Sequence, residues 1–274
     1  MQPWPDARVW EAVHAWHWIP PGAARIRTDA YEAAVVRGSW SLTYVWDFRV
    51  DDPAEADRRL DELAAEIRRL GGTGAKFQVT PHSRPADLEL RLARLGFETQ
   101  DVTEALVWEL RDARDRPRLP PLALPPGVEV REVLNDPELD AFIDLAPPIF
   151  GDPGPTPEIR AGFHREAHAR IRATGRSGRY LARVDGVPVG RAGLEMAGPV
   201  ARLWGTGVLP AYRRRGIYGA LVHARCLAAI AQSGEIALTT ARVGSSGPIL
   251  KRAGFRPVGE VRMLVARWEP SPAP

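Results

Sequence analysis

Cysteine is almost absent from the chain: Cys226 is its one thiol in 274 residues. A single thiol excludes an intramolecular disulfide framework and a multi-cysteine zinc site, so nothing demands an oxidising compartment. Lysine is nearly as scarce. Of 37 cationic side chains 35 are arginine, with Lys76 and Lys251 the exceptions, a bias that reads as the codon usage of a GC-rich bacterium. No run of about 18 apolar residues exists, which excludes a membrane-spanning helix. The opening MQPWPDARVW lacks a basic stretch followed by an apolar one and is no secretory signal. A cytoplasmic protein is the expectation.

What is present fits a soluble globular chain, with 45% hydrophobic and 26% charged residues, which excludes disordered, collagen-like and coiled-coil classes. The net charge of +3 hides an asymmetry. Residues 1–118 carry 17 Arg and Lys against 20 Asp and Glu, whereas residues 119–274 carry 20 against 14. A modest positive excess in one half suits a small anionic ligand better than a nucleic acid, which asks for a basic stripe interleaved with aromatics. No nucleic acid and no membrane are expected as partners.

The clearest boundary lies between Arg111 and Val130, where Pro117, Pro120, Pro121, Pro125 and Pro126 interrupt any apolar periodicity. Proline fixes φ and holds the residue before it out of the helical region, so the stretch reads as an extended linker. The expected organisation is a domain over 1–115, a linker over 116–127 and a second domain over 128–270.

Before the linker, the patterns predict a Trp-rich helix near 5–16, a strand at 39–50, a helix at 54–70, a strand at 75–79, a helix at 85–95 and a strand pair within 97–110. After it they predict a strand at 128–133, helices at 137–146 and 157–173, and three antiparallel strands near 179–184, 187–195 and 200–208. Asp185–Gly186 is a tight-turn signal between the first two of these strands. A helix over 216–233, a strand at 235–242, a short helix at 248–253 and a strand at 260–268 complete the chain. One echo links the halves. Leu92–Phe97 and Leu250–Phe255 each end a helix on Gly-Phe before a strand, offset by 158 residues, as a left-handed helix stop followed by a core aromatic requires.

The chemistry is concentrated in Gly207-Val-Leu-Pro-Ala-Tyr-Arg-Arg-Arg-Gly-Ile-Tyr-Gly-Ala-Leu-Val222. An apolar strand ends at Pro210, an Arg/Gly loop follows, and a helix starts at once. A loop feeding a helix N-terminus offers unpaired backbone N–H groups at the positive end of the macrodipole. Glycines let that backbone approach a phosphate, and Arg213, Arg214 and Arg215 add charge-assisted donors. The pattern reads as a pyrophosphate cradle.

VLPAYRRRGIYGALV resembles motif A of the GCN5-related N-acetyltransferases, a V-x-P-x-x-R-x-x-G-x-G/A loop that holds the pyrophosphate of acetyl-CoA. Arg213 and Gly216 match two fixed positions, while Tyr218 stands at the third with Gly219 beside it. The resemblance covers about 128–268. It implies an α/β fold with a mixed sheet splayed open beside the loop, and a cofactor arm lying against strand 203–208. It implies acetyl-CoA contacts from Thr206, Gly207, Val208, Arg213, Arg214, Arg215, Gly216, Ile217, Tyr218, Gly219, Ser245 and Ser246. The N-terminal half resembles the back of the same fold but has Asp51-Asp52-Pro53 in place of the loop, so a degenerate domain in a tandem architecture is implied.

The family's usual catalytic groups are missing. Its strand glutamate falls at Gly205 and its tyrosine donor at Leu250, which leaves Glu195 as the candidate general base. The resemblance implies acyl transfer from acetyl-CoA to a primary amine of a small molecule by direct attack in a ternary complex. A silent CoA-binding sensor and a protein-directed acetyltransferase are the alternatives. His164 and His168 stand four apart, but Arg165 occupies the position where a zinc-hydrolase motif needs Glu. No metal is expected. Cys226 lies mid-helix with no His beside it and reads as core.

Overall fold

The computed structural model describes residues 2–268 apart from 16, 113, 123 and 152. In chain order the elements are α1 (Asp6–His14), β1 (Ala24–Arg27), β2 (Glu32–Val36), β3 (Ser39–Trp46), α2 (Pro53–Arg69), β4 (Gly74–Val79), α3 (Leu88–Arg94) and β5 (Glu98–Glu109). They continue with β6 (Val128–Glu132), α4 (Asp136–Asp144), α5 (Ala146–Phe150), α6 (Pro157–Thr174), β7 (Arg179–Val184), β8 (Val187–Ala197) and β9 (Val200–Val208). Last come α7 (Ile217–Ile230), β10 (Ile236–Arg242), α8 (Ser246–Arg252) and β11 (Arg256–Arg267). Trp16, within the expected first helix, lies outside the described residues.

Two compact units form, and the chain passes between them more than once. The larger takes the residues before His17 together with Ala105–Val258, and the smaller takes His17–Glu104 together with the residues from Gly259. Part of each half's last strand therefore lies in the other unit: residues 105–109 of β5 in the larger and residues 259–267 of β11 in the smaller. In the smaller unit the strands run β1-β2-β3-β4-β11, with β11 antiparallel to β4. In the larger they run β5-β10-β9-β8-β7-β6.

The smaller unit repeats the plan of the larger without its loop. The β1–β2 hairpin, unexpected from the sequence because β1 is four residues long, leads into β3, α2 and β4, with β3 and β4 parallel. Leu60, Leu63, Ala64 and Ile67 bury one stripe of α2, each large aliphatic contributing about 1.5–3 kcal/mol. Its N-terminus is closed: the Asp52 carboxylate accepts from Glu55 N–H at 2.8 Å and Pro53 opens the first turn. A carboxylate at that position repels a phosphate. Residues 98–109 form one continuous strand instead of the expected pair.

In the larger unit the sheet has a helical layer on each face. Leu139, Phe142, Ile143, Ala167 and Leu181 join α4 and α6 to one face. Ile217, Leu221, Cys226 and Ala229 of α7 pack with Leu194, Leu203, Leu250 and Phe255 on the other. The predicted α7 loses its last turn, and the helix predicted over 137–146 divides into α4 and the short α5, whose Pro147 and Pro148 cannot continue the α4 hydrogen-bond ladder.

Candidate active site

β9 and β10 part beside the Arg/Gly loop. Their parallel pairing runs from Val200–Ile236 to Arg202–Leu238 and stops, although β9 continues to Val208 and β10 to Arg242. The Thr239 hydroxyl donates to the Leu203 carbonyl at 2.8 Å, at the point where the strands diverge. Beyond it the β10-facing edge of Trp204–Val208 has no strand partner among the described residues. Thr206, Gly207 and Val208 lie along this edge, so a main-chain N–H there is free to donate to an acyl oxygen.

The loop after β9 turns through two left-handed residues, Arg214 at φ 63° and Gly216 at φ 77°. Gly216 is the N-cap of α7 and supplies no side-chain cap. Tyr212 and Arg213 N–H groups bond inside the turn and Ala220 N–H bonds to the Gly216 carbonyl. Among the described residues, the N–H groups from Arg214 to Gly219 donate to nothing in the protein. Six consecutive unclaimed donors at a helix N-terminus make an anion-binding concavity.

The three arginines divide their roles. Arg213 Nε donates to the Val208 carbonyl at 3.2 Å and braces the loop against the strand it leaves. Arg215 lies over the Tyr212 ring at 5.2 Å, and Arg214 and Arg215 are exposed. The linker closes the back of the turn. A Cβ on Gly216 would lie 2.7 Å from Pro125 Cγ, and one on Gly219 would lie 3.4 Å from Leu122 Cδ2. Gly216 is thus required by its left-handed backbone and by Pro125.

Tyr218 points inward. Burial pushes its hydroxyl up, against a weaker opposing hydrogen bond with Ser246. Ser246 Oγ also accepts from Arg242 N–H at 3.0 Å, so this serine ties α8 to β10 and α7. Ser245 is exposed and makes no capping bond at the start of α8.

Neither Leu250 nor Gly205, the positions to which the resemblance assigns proton transfer, carries a titratable group. Leu250 is fully buried in the core, and Gly205 takes a left-handed φ of 56°. Glu195 is not free. Its carboxylate is ion-paired with Arg170, and it faces Arg202 across the β8–β9 register. The ion pair occupies this carboxylate, so a proton could reach it only by displacing Arg170. The Arg170 contact, 25 residues away in sequence, carries no local signal.

Two buried arginines were not legible in the sequence. Arg225 of α7 donates to the Gly193 and Leu221 carbonyls, both at 2.9 Å, and burial lowers it to about 10. Arg191 of β8 sits opposite Gly207 on the α4–α5 side, stacked 3.7 Å from the Phe142 ring centre. Its Nη1 donates to the Phe142 carbonyl at 2.8 Å, its Nε is buried without a partner, and burial pushes it down to about 9. It remains a cation at neutral pH. Elsewhere, Asp136 bonds both His164 and His168, and Asp140 bonds His164, stitching α4 to α6. The donor atoms of Asp136, His164 and His168 lie within 4.8 Å of one another.

Comparison with known proteins agrees with this geometry. The family model "Acetyltransferase (GNAT) family" matches residues 139–244. No curated protein matches the chain. Among solved structures, a GCN5-related N-acetyltransferase from Kribbella flavida superposes with a TM-score of 0.61 at 21% identity, covering 89% of each chain. One from Sphaerobacter thermophilus gives 0.61 at 17% identity, over 87% of this chain and 76% of its own. A tandem GNAT protein from the clavulanic acid biosynthesis pathway gives 0.56 at 17% identity, over 98% of this chain and 89% of its own. No helix among the described residues is long and apolar enough to cross a membrane. Residues 139–244 match the acetyltransferase (GNAT) family model, and the chain as a whole, with its divergent N-terminal half, shares its fold with a tandem GNAT protein.

Proposed function

We propose that the protein transfers an acetyl group from acetyl-CoA to a primary amine of a small molecule, by direct attack of the amine in a ternary complex. The observation that carries this reading is the run of unclaimed N–H groups from Arg214 to Gly219 beside the parted strands β9 and β10. The thioester supplies an activated acetyl group. The loop N–H groups, with Arg214 and Arg215, are suited to the pyrophosphate, and Arg213 keeps the loop in place. Ile217, Tyr218 and Gly219 form the first helical turn beneath it, while Ser245 stands exposed near the start of α8.

On the acceptor side the free edge of Thr206–Val208 provides N–H donors for developing negative charge on the acyl oxygen. Glu195, bound to Arg170, serves better as a fixed charge that orients water than as the base. Water or a second amine then removes the proton of the attacking amine. The departing thiolate, with an ordinary thiol pKa of about 8.5, leaves without a dedicated acid.

A catalytically silent acyl-CoA sensor is the second reading, favoured by the buried Leu250 and the arginine-bound Glu195. Thiol release from saturating acetyl-CoA with a panel of primary amines separates the two. Amine-dependent release supports the enzyme. Micromolar CoA binding with no release from any amine supports the sensor.

A further inference from the structure

Arg191 is a buried charge without an internal counter-charge. It is 9% exposed, no carboxylate pairs with it among the described residues, and Arg179 adds a like charge from β7. The acids of α4 on that side are already engaged, since Arg160 holds both Asp140 and Asp144. Uncompensated burial of this kind is strongly unfavourable and persists where something outside the chain offsets it. Arg225, also buried, differs in having carbonyl partners at both Nε and Nη1.

The free part of Arg191 is one edge of its guanidinium. Nη1 is committed to the Phe142 carbonyl, whereas Nε has no partner. Nη2 faces Gly205: it is the one heavy atom within 4 Å of a Cβ built there, at 4.0 Å, so the space over Gly205 is open. Gly205 and Thr206 are half-buried, which gives that space a route from solvent. The Nε–Nη2 edge is the edge that grips a carboxylate with two parallel bonds. Phe142 stacks on the guanidinium face and leaves this edge clear. The short α5, which carries Phe150 5.9 Å from the guanidinium, has no capping side chain and buries none of its residues, so it can yield to a ligand oxygen at Nε.

We infer that Arg191 anchors a carboxylate on the acceptor, so that the amine acetylated by this protein belongs to the amino-acid class. This rests on the reading of the parted strands as the acyl-transfer site, because Arg191 of β8 pairs in register with Gly207, whose opposite, β10-facing side is the unpaired edge. A carboxylate held above Gly205 fixes one end of the acceptor and leaves its amine to be directed at the acyl carbon. A site that binds a charged group by two hydrogen bonds discriminates strongly against an analogue lacking it.

The test uses the full chain, acetyl-CoA, and the twenty common amino acids each paired with its carboxamide. For the preferred amino acid, kcat/KM should exceed that of its amide by at least about a hundredfold. Arg191→Met should reduce this ratio below about threefold through KM, with the CoA dissociation constant unchanged by calorimetry. Arg191→Lys should retain part of the ratio. Equal turnover of acid and amide, or a ratio that survives Arg191→Met, overturns the inference and leaves acetyl transfer standing. If no amine turns over, acetyl transfer fails, and thermal shifts of the CoA-loaded protein decide the inference. Stabilisation by an amino acid but not its amide, abolished in Arg191→Met, supports the anchor. No such stabilisation overturns it.

Discussion

The Thr103 hydroxyl donates to the Val261 carbonyl at 2.9 Å, across 158 residues of chain. The same offset separates Gly96-Phe97 from Gly254-Phe255. Positions 158 residues apart in the two halves therefore meet on β5 and β11.

Strand exchange predicts how the chain responds to truncation. Removing the residues from Gly259 strips β4 of its antiparallel neighbour and takes Leu264 and Ala266 from the core of the smaller unit. Ending the chain at Val258 should lower the melting temperature by 10 °C or more or abolish cooperative unfolding, because a bare strand edge also invites aggregation. Calorimetry with light scattering checks this. An unchanged melting profile would refute the exchange.

Gly216 tests the cradle. An alanine there must hold a left-handed φ, at about 1–2 kcal/mol, and its Cβ meets Pro125 at 2.7 Å. Gly216→Ala should lower stability by about that amount and weaken CoA at least tenfold. Adding Pro125→Gly removes the contact but not the backbone strain, so it should recover stability only in part. Urea melts and CoA calorimetry on both variants provide the measurement.

Cys226 lies in the core of the larger unit, and burial pushes its thiol up to about 12. The folded protein should resist thiol-specific reagents from pH 7 to 9 and react fully once denatured. A thiol pKa raised on folding leaves stability untouched below the ordinary value near 9. Between 9 and 12 the unfolded chain ionises first, so this group's contribution falls as pH rises. Cys226→Ala should flatten that part of the stability profile, as followed by urea melts at pH 8 and 10.5.

Proton transfer by water leaves its mark on the pH dependence of the rate. An alkyl amine with a pKa of about 10.4 is almost wholly protonated at pH 7. Turnover should then climb about tenfold per pH unit from 7 to 9, with no falling limb in that range. Glu195→Gln should slow it by less than about tenfold, since the carboxylate is bound to Arg170. A hundredfold loss would instead make Glu195 the base.

The Arg/Gly loop and its free N–H groups were legible because every part of them is local. A strand, a turn rich in Arg and Gly, and a helix without a capping side chain follow one another within Gly207–Val222, and chain geometry alone sets the N–H groups free. The same holds for Asp52, whose cap on α2 closes the matching position in the other half. The alternation and helical spacing behind β7, β8, β9 and α2 are likewise short-range signals.

What tertiary structure decided is which distant groups claim each side chain. Glu195 reads as a candidate base until Arg170 reaches it, and nothing local marks Arg191 as a cation buried against Phe142. Among its described residues the Pro-rich segment 116–127 forms no helix or strand, yet Leu122 and Pro125 rest against the start of α7 because apolar atoms there leave water. Strand exchange is invisible in sequence for a related reason. A helix ending in Gly-Phe before a strand has the same pattern whichever sheet that strand joins, since its partners are chosen by hydrogen bonds and packing made across the fold.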